Sequence, residues 1–173
     1  MTEQWVFQDW SANRHDRRIQ LILVMFRLAQ RISVSRKGFR VAGRPYLWLY
    51  RVVVHCILHI ELQASTEVGR GLTIFHGYGL VVHPTARLGQ GVVLRQCVTI
   101  GNRTRGGAAP VIEDGVEIGA NALVLGPITV GKNAVIGAGA VVLRSVPENA
   151  VVVGNPARVI KYLIPRECDL GGT

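Results

Sequence analysis

From Val68 to Val142 the aliphatic positions recur in sixes. Val68, Ile74 and Leu80 form one run, and Leu88, Leu94 and Ile100 a second. Ile112, Ile118, Val124, Val130, Ile136 and Val142 form a third. A small or β-branched residue stands two places earlier in most repeats, as at Ala86, Val98, Ala122 and Ala140, and Gly often follows the aliphatic residue. A period of six fits neither a 3.6-residue helix nor a long alternating strand. It fits a parallel β-helix shaped as a prism, in which each flat face is one short strand and each corner a turn. Residues at i and i−2 then share the inward side of a strand. The first runs slip by two residues between Leu80 and Leu88, which predicts a wider corner around His83-Pro84. Between Ile100 and Ile112 the register survives, but the slot at Gly106 is not aliphatic. The segment 102–110 (NRTRGGAAP) therefore reads as a loop ejected from the wall, where a rigid scaffold tends to carry function.

Ahead of the repeat the period changes. Asp16 is a candidate N-cap, and Ile19, Ile22, Leu23, Phe26, Ala29 and Ile32 make a helical apolar stripe that Leu21, Val24, Met25 and Leu28 widen almost all round. Asn13 to Arg18 reads as a solvated helix start. Ser35 to Gly43 reads as a basic loop. Pro45 then opens a second helix, from Tyr46 to about Ile60, at a position where proline is tolerated. Arg27, Arg31 and Arg51 interrupt stretches already too short to span a bilayer. The expected organisation is a helical segment over 1–60, the prism over 61–161 with the loop 102–110, and a polar tail over 162–173.

Composition sharpens this picture in one respect. The chain has 173 residues and a formal net charge of +9. Residues 1–60 hold ten Lys/Arg and three Asp/Glu, or +7, whereas residues 61–173 hold ten and eight, or +2. The basicity belongs to the helices, which would pack on the prism end or on neighbouring subunits, or meet an anionic membrane surface. With no stacking aromatics on a basic sheet, nucleic acid is not an expected partner. Cys56, Cys97 and Cys168 show no metal spacing and read as reduced thiols of a cytoplasmic protein. The opening MTEQWVFQDW lacks the pattern of a signal peptide. His55 and His59, four apart on the second helix, have no third ligand, so no metal is expected.

Particular words carry a resemblance: GRGLTIFHGYGLVV (69–82), CVTIGN, VIEDGVEIGANALVLG, VIGAGAVVLRSVPENA and GNPARVIK. Together they resemble the hexapeptide-repeat acyltransferases, in the serine acetyltransferase-like branch. DWSAN and YLWLYRVV ahead of a short repeat make the chain most similar to the colanic-acid and capsular-polysaccharide O-acetyltransferases. The resemblance implies a left-handed parallel β-helix with an N-terminal α-helical segment. It also implies a homotrimer with active sites between subunits, and acetyl-CoA as donor.

It implies roles as well. His76 matches the family's catalytic histidine, a residue type suited to taking a hydroxyl proton near neutrality. Glu61 stands where serine-specific members carry the aspartate that orients that histidine. Ala120 and Ala138, eighteen residues apart, match positions along which the pantetheine arm lies. Arg158 and Lys161 match positions that meet CoA phosphates, and Arg144 could join them. Two departures concern the acceptor. Serine-specific members have Asp where this chain has Phe75, and Arg-His where it has Ala108-Ala109. Free serine presents two full charges that need partners. The expected acceptor is therefore a sugar hydroxyl of a surface or capsular polysaccharide or its precursor, met by Phe75, Tyr78, Arg103 and Arg105. The alternatives are a serine acetyltransferase, a metal-dependent prism resembling the γ-class carbonic anhydrases, and a non-catalytic trimeric scaffold.

Overall fold

A computed structural model of the chain describes residues 5–163; the polar tail expected over 162–173 falls mainly outside them. Three sheets of very short strands build a three-sided prism. The first stacks β1 (Ile60–Leu62), β4 (Leu80–Val82), β7 (Thr99–Gly101), β10 (Leu123–Leu125) and β13 (Val141–Val142). The second stacks β2 (Glu67–Val68), β5 (Arg87–Leu88), β8 (Val111–Ile112) and β11 (Thr129–Val130). The third stacks β3 (Thr73–Ile74), β6 (Val93–Leu94), β9 (Glu117–Ile118), β12 (Val135–Ile136) and β14 (Ala150–Val153). Every pairing among these is parallel, as in a left-handed β-helix. A last strand, β15 (Arg158–Tyr162), folds back antiparallel on β14.

Both aliphatic rows point inward. Ile74, Leu94, Ile118 and Ile136 are buried, and so are Leu72, Val92, Val116 and Ala134 two places earlier. Burying a residue of this size contributes about 1.5–3 kcal/mol. The glycines that follow the aliphatic row have a steric cause. A Cβ on Gly69 would lie 2.5 Å from the carbonyl carbon of Gly89 one coil away, and one on Gly119 would lie 2.5 Å from the amide nitrogen of Ala138.

The pairing register corrects one expectation. Leu62 pairs with Val82 and Val82 with Ile100, so the inward slot of β4 belongs to Val82. Val82, Leu88, Leu94 and Ile100 then keep perfect sixes, and no widening occurs at His83-Pro84. The two extra residues lie instead in the corner between Ile74 and Leu80, which contains His76. Leu80 had looked inward because it is: it fills the i−2 slot and is fully buried.

The helical segment closes the first coil. Helix α1 (Arg17–Val34) starts at Asp16, whose carboxylate accepts from the amides of Arg18 and Ile19. It buries Ile19, Ile22, Leu23, Phe26 and Ala29. Helix α2 (Lys37–Ala42) replaces the expected loop, and α3 (Arg44–Tyr50) runs into a π-helical turn, Arg51–Ile57. A six-residue helix containing Gly38 leaves too little periodicity to be seen in the sequence.

Arg27 does not merely interrupt an apolar helix. Its Nε lies 2.7 Å from Asp9 Oδ2, and both side chains are about fully buried. The same guanidinium donates to the carbonyls of Val68 at 2.8 Å and Gly69 at 2.6 Å. Gln30 donates to the Thr66 carbonyl and Ser33 to the Ala64 carbonyl. Residues 27, 30 and 33 share one helical face, and they satisfy the open edge of the first coil next to β2. The open edge of β3 is met by the segment before α1. Asp9 accepts from the Leu72 amide, while Asn13 accepts from the Ile74 amide and donates to the Leu72 carbonyl. Asn13 is therefore buried, where a solvated helix start was expected.

Candidate active site

The corner between β3 and β4 is strained in a defined way. The Gly77 amide donates to the Phe75 carbonyl and the Tyr78 amide to the His76 carbonyl, each at 2.9 Å. His76 has φ +67° and Gly77 φ +63°, so two consecutive γ-turns have left-handed central residues. Such turns are rare, and a non-glycine held there costs about 1–3 kcal/mol. Gly77 fits because a Cβ on it would meet Ile60 Cδ1 at 3.0 Å and Ile19 Cδ1 at 3.3 Å. The effect is to lift His76 off the wall: its side chain is exposed, while its neighbour Gly77 is buried.

The same edge of the prism carries Ala120 and Ala138. Corner amides link coil to coil: Gly79 N–H to His59 C=O, Cys97 to Tyr78, Asn121 to Gln96, and Gly139 to Ala120. His76, Phe75 and Tyr78 on the first coil thus share one edge line with Ala120 and Ala138 two and three coils on. The backbone amides of Ala120 and Ala138 make no hydrogen bond among the described residues. Their small side chains leave those amides open to a ligand lying along the edge.

Phe75 is not a bare platform. His15 stacks on its ring with centroids 4.3 Å apart and planes 19° apart. The Arg95 guanidinium sits 4.9 Å from the ring centre. His15 is held in place by a 3.1 Å contact from Nε2 to the Ile74 carbonyl oxygen. Neither His15 nor Arg95 stood out in the sequence, because each is brought to Phe75 only by the fold. Tyr78 is half exposed, and Arg18 of α1 both bonds its hydroxyl and lies over its ring. That contact and the nearby Asp16 raise the Arg18 pKa against the opposing pull of burial.

The other candidate residues lie off that line, Glu61 just past the His59 corner and the rest on other parts of the monomer. Glu61 is on β1, beside Val81 on the outer face, and makes no hydrogen bond with His76. It lines a cavity of about 530 Å³ together with Arg51 and His55. His55 itself contacts the Leu62 carbonyl oxygen, and His59 has left the helix for a corner with φ +54°. Arg103 and Arg105 are exposed on the loop 102–110, which leaves the edge between the first and second sheets. Arg144 follows β13 on that same edge and shares a small cavity of about 180 Å³ with Arg158. Lys161 is exposed on β15, paired with Val151. Among the described residues, no three His, Cys, Asp or Glu side chains gather as a metal site.

Comparison with known proteins agrees with this architecture. The family model described as bacterial transferase hexapeptide (six repeats) matches residues 109–144. WcaB of Escherichia coli K12, named provisionally as a colanic acid biosynthesis acetyltransferase, is 42% identical over 158 residues, spanning 89% of this chain and 98% of its own. The serine acetyltransferase of Bacillus licheniformis is 46% identical over 103 residues, covering 58% of this chain; the match spans only 48% of that enzyme. The crystal structure of serine acetyltransferase from Brucella abortus S19 in complex with coenzyme A has a TM-score of 0.75 at 28% identity, covering 92% of this chain and 67% of that one. With a whole-length relative at that identity and a prism of the same build, this chain belongs to the hexapeptide-repeat acetyltransferases.

Proposed function

We propose that the chain transfers acetyl from acetyl-CoA to a sugar hydroxyl of a bacterial surface or capsular polysaccharide or its precursor, with His76 as general base. The observation that carries this reading is His76 itself, a polar residue held in a strained, exposed turn on the same edge as the free amides of Ala120 and Ala138. Strain of this kind is retained where geometry serves a function. Acetyl-CoA supplies the thioester whose carbonyl carbon is attacked. His76 takes the acceptor hydroxyl proton as oxygen bonds to that carbon, and returns it to the departing thiolate sulfur. The Ala120 and Ala138 amides hold the pantetheine arm, while Arg144, Arg158 and Lys161 meet the CoA phosphates. Glu61, two residues past His59 on the same corner line, orients the imidazole once the acceptor is bound.

A homotrimer is part of this reading. His76 and the alanines occupy one edge, whereas the loop and Arg144 occupy another. In this reading a neighbouring copy brings the second edge to the first. A carbohydrate acceptor is favoured over serine because the sequence match to WcaB spans 89% of the chain, and that to the Bacillus licheniformis serine enzyme 58%. Phe75 and Ala108-Ala109 also offer no charged partners to an amino acid. Phe75, braced by His15 and Arg95, with Tyr78, Arg103 and Arg105, forms the acceptor side. The enzyme works on the cytoplasmic side, at or near the membrane where such precursors are assembled.

The test is CoA release with acetyl-CoA and a panel of polysaccharide and lipid-linked acceptors, run beside L-serine. His76→Ala should lower turnover by about 10²–10⁴-fold. Serine-dependent release equal to the best sugar would overturn the acceptor assignment, and unchanged turnover in His76→Ala would overturn that of the base.

A further inference from the structure

Residues 17–60 contain nine Lys and Arg and no Asp or Glu. Arg27 is neutralised by Asp9 inside the molecule. Arg36, Arg40 and Arg44 are exposed in and beside α2 and α3. Residues 37–50 expose four large apolar side chains: Phe39 at 62%, Val41 at 54%, Trp48 at 67% and Leu49 at 46%. The exposure is not the result of a loose segment. Tyr46 donates its hydroxyl to the Met25 carbonyl, and the buried Tyr50 donates to the Leu62 carbonyl. Those bonds pin α3 to α1 and to β1, which leaves Trp48 and Leu49 facing outward.

We infer that this helical face docks on an anionic lipid bilayer. Apolar and aromatic side chains enter the headgroup boundary, and arginines meet lipid phosphates, as interfacial helices do. The face cannot span the bilayer, since no helix among the described residues is long and apolar enough. Charge decides between a bilayer and a second copy of the chain. A face with cations and no acid repels its own image, whereas an anionic surface complements it. Each arginine at such a surface is worth about fivefold in partitioning. The docking inference stands apart from the acetyl-transfer reading. Its consequence, that the first coil and His76 are held close to a lipid-linked acceptor, rests on that reading.

The experiment is co-sedimentation of the full chain with phosphatidylcholine vesicles containing 30 mol% phosphatidylglycerol, and with pure phosphatidylcholine vesicles. Binding should require the anionic lipid and weaken with salt. Phe39→Ala/Trp48→Ala should reduce it at least tenfold, and Arg36→Gln/Arg40→Gln/Arg44→Gln about a hundredfold. Both variants should keep the parent's oligomeric mass and its turnover on a soluble acceptor. Equal binding to neutral vesicles, or variants that bind as the parent does, would overturn the inference. So would a change of oligomeric mass in Phe39→Ala/Trp48→Ala, which would assign the face to a neighbouring copy. Retention on RNA without retention on vesicles would also overturn it.

Discussion

Removing the Arg27 guanidinium should be among the most damaging single changes outside the active site. The side chain donates five hydrogen bonds: to both carboxylate oxygens of Asp9, to Gln30 Oε1, and to the carbonyls of Val68 and Gly69. Arg27→Ala leaves the Asp9 carboxylate buried, with the Leu72 amide as its remaining donor among the described residues. Stranding one member of a buried ion pair costs about 3–5 kcal/mol. Two backbone carbonyls lose a partner as well, so about 4 kcal/mol is expected in all. At this chain length that corresponds to a fall in Tm of about 8–16 °C. Urea denaturation followed by far-UV circular dichroism, at one fixed protein concentration, measures it. Asp9→Asn in the Arg27→Ala background should recover about 1–2 kcal/mol, because it discharges the stranded carboxylate. A loss below about 1 kcal/mol in Arg27→Ala, or strictly additive effects in the pair, would refute the account of a buried, mutually dependent clamp.

Other changes separate the site from the scaffold. Gly77→Ala places a Cβ 3.0 Å from Ile60 Cδ1 in a left-handed turn, and should cost about 1–3 kcal/mol in a melt and lower kcat with it. Ala138→Leu, at an exposed position, should leave Tm unchanged and raise the KM for acetyl-CoA about tenfold or more; the reverse pattern would remove the pantetheine track from that edge. Burial pushes the Asp16 carboxyl up, but the bonds from the Arg18 and Ile19 amides outweigh it and hold its pKa below 3.8. A lowered folded-state pKa gives stability that is present above 3.8 and lost as pH falls through the folded value. Acid melts should therefore show a component below pH 3.8 that Asp16→Asn removes, with little change near neutrality, where Asn caps nearly as well.

The prism was legible because its inward positions obey one rule for twelve strands, and the six-residue period resembles nothing else a globular chain does. The slip was legible too, but not its place. Leu80 and Val82 are both buried aliphatics on alternate positions, so either could be taken for the inward row. Only the pairing of Val82 with Leu62 and Ile100 moves the two extra residues to the corner of His76. The helix was visible as an apolar stripe, but its polar face was read as an interruption. Arg27, Gln30 and Ser33 stand three apart, and that spacing was a usable sign of a face with bonds to make. The contacts of Phe75 were not legible. His15 lies sixty residues before it, and nothing local in either segment marks the stack.

The side-chain bonds along the first coil have a bearing on how the molecule behaves in a crowded solution. A stack of parallel coils ends in a row of unpaired amides and carbonyls, which is a template for another stack. Here Asp9, Asn13, Arg27, Gln30 and Ser33 occupy that row at one end, and at the other β15 turns back antiparallel against β14. The edges of the first coil and of β14 therefore offer no parallel template from outside. Loosening the Asp9–Arg27 clamp would do more than lower a melting temperature: it would free one end of a rod to grow on its neighbours, and filaments would be the expected product.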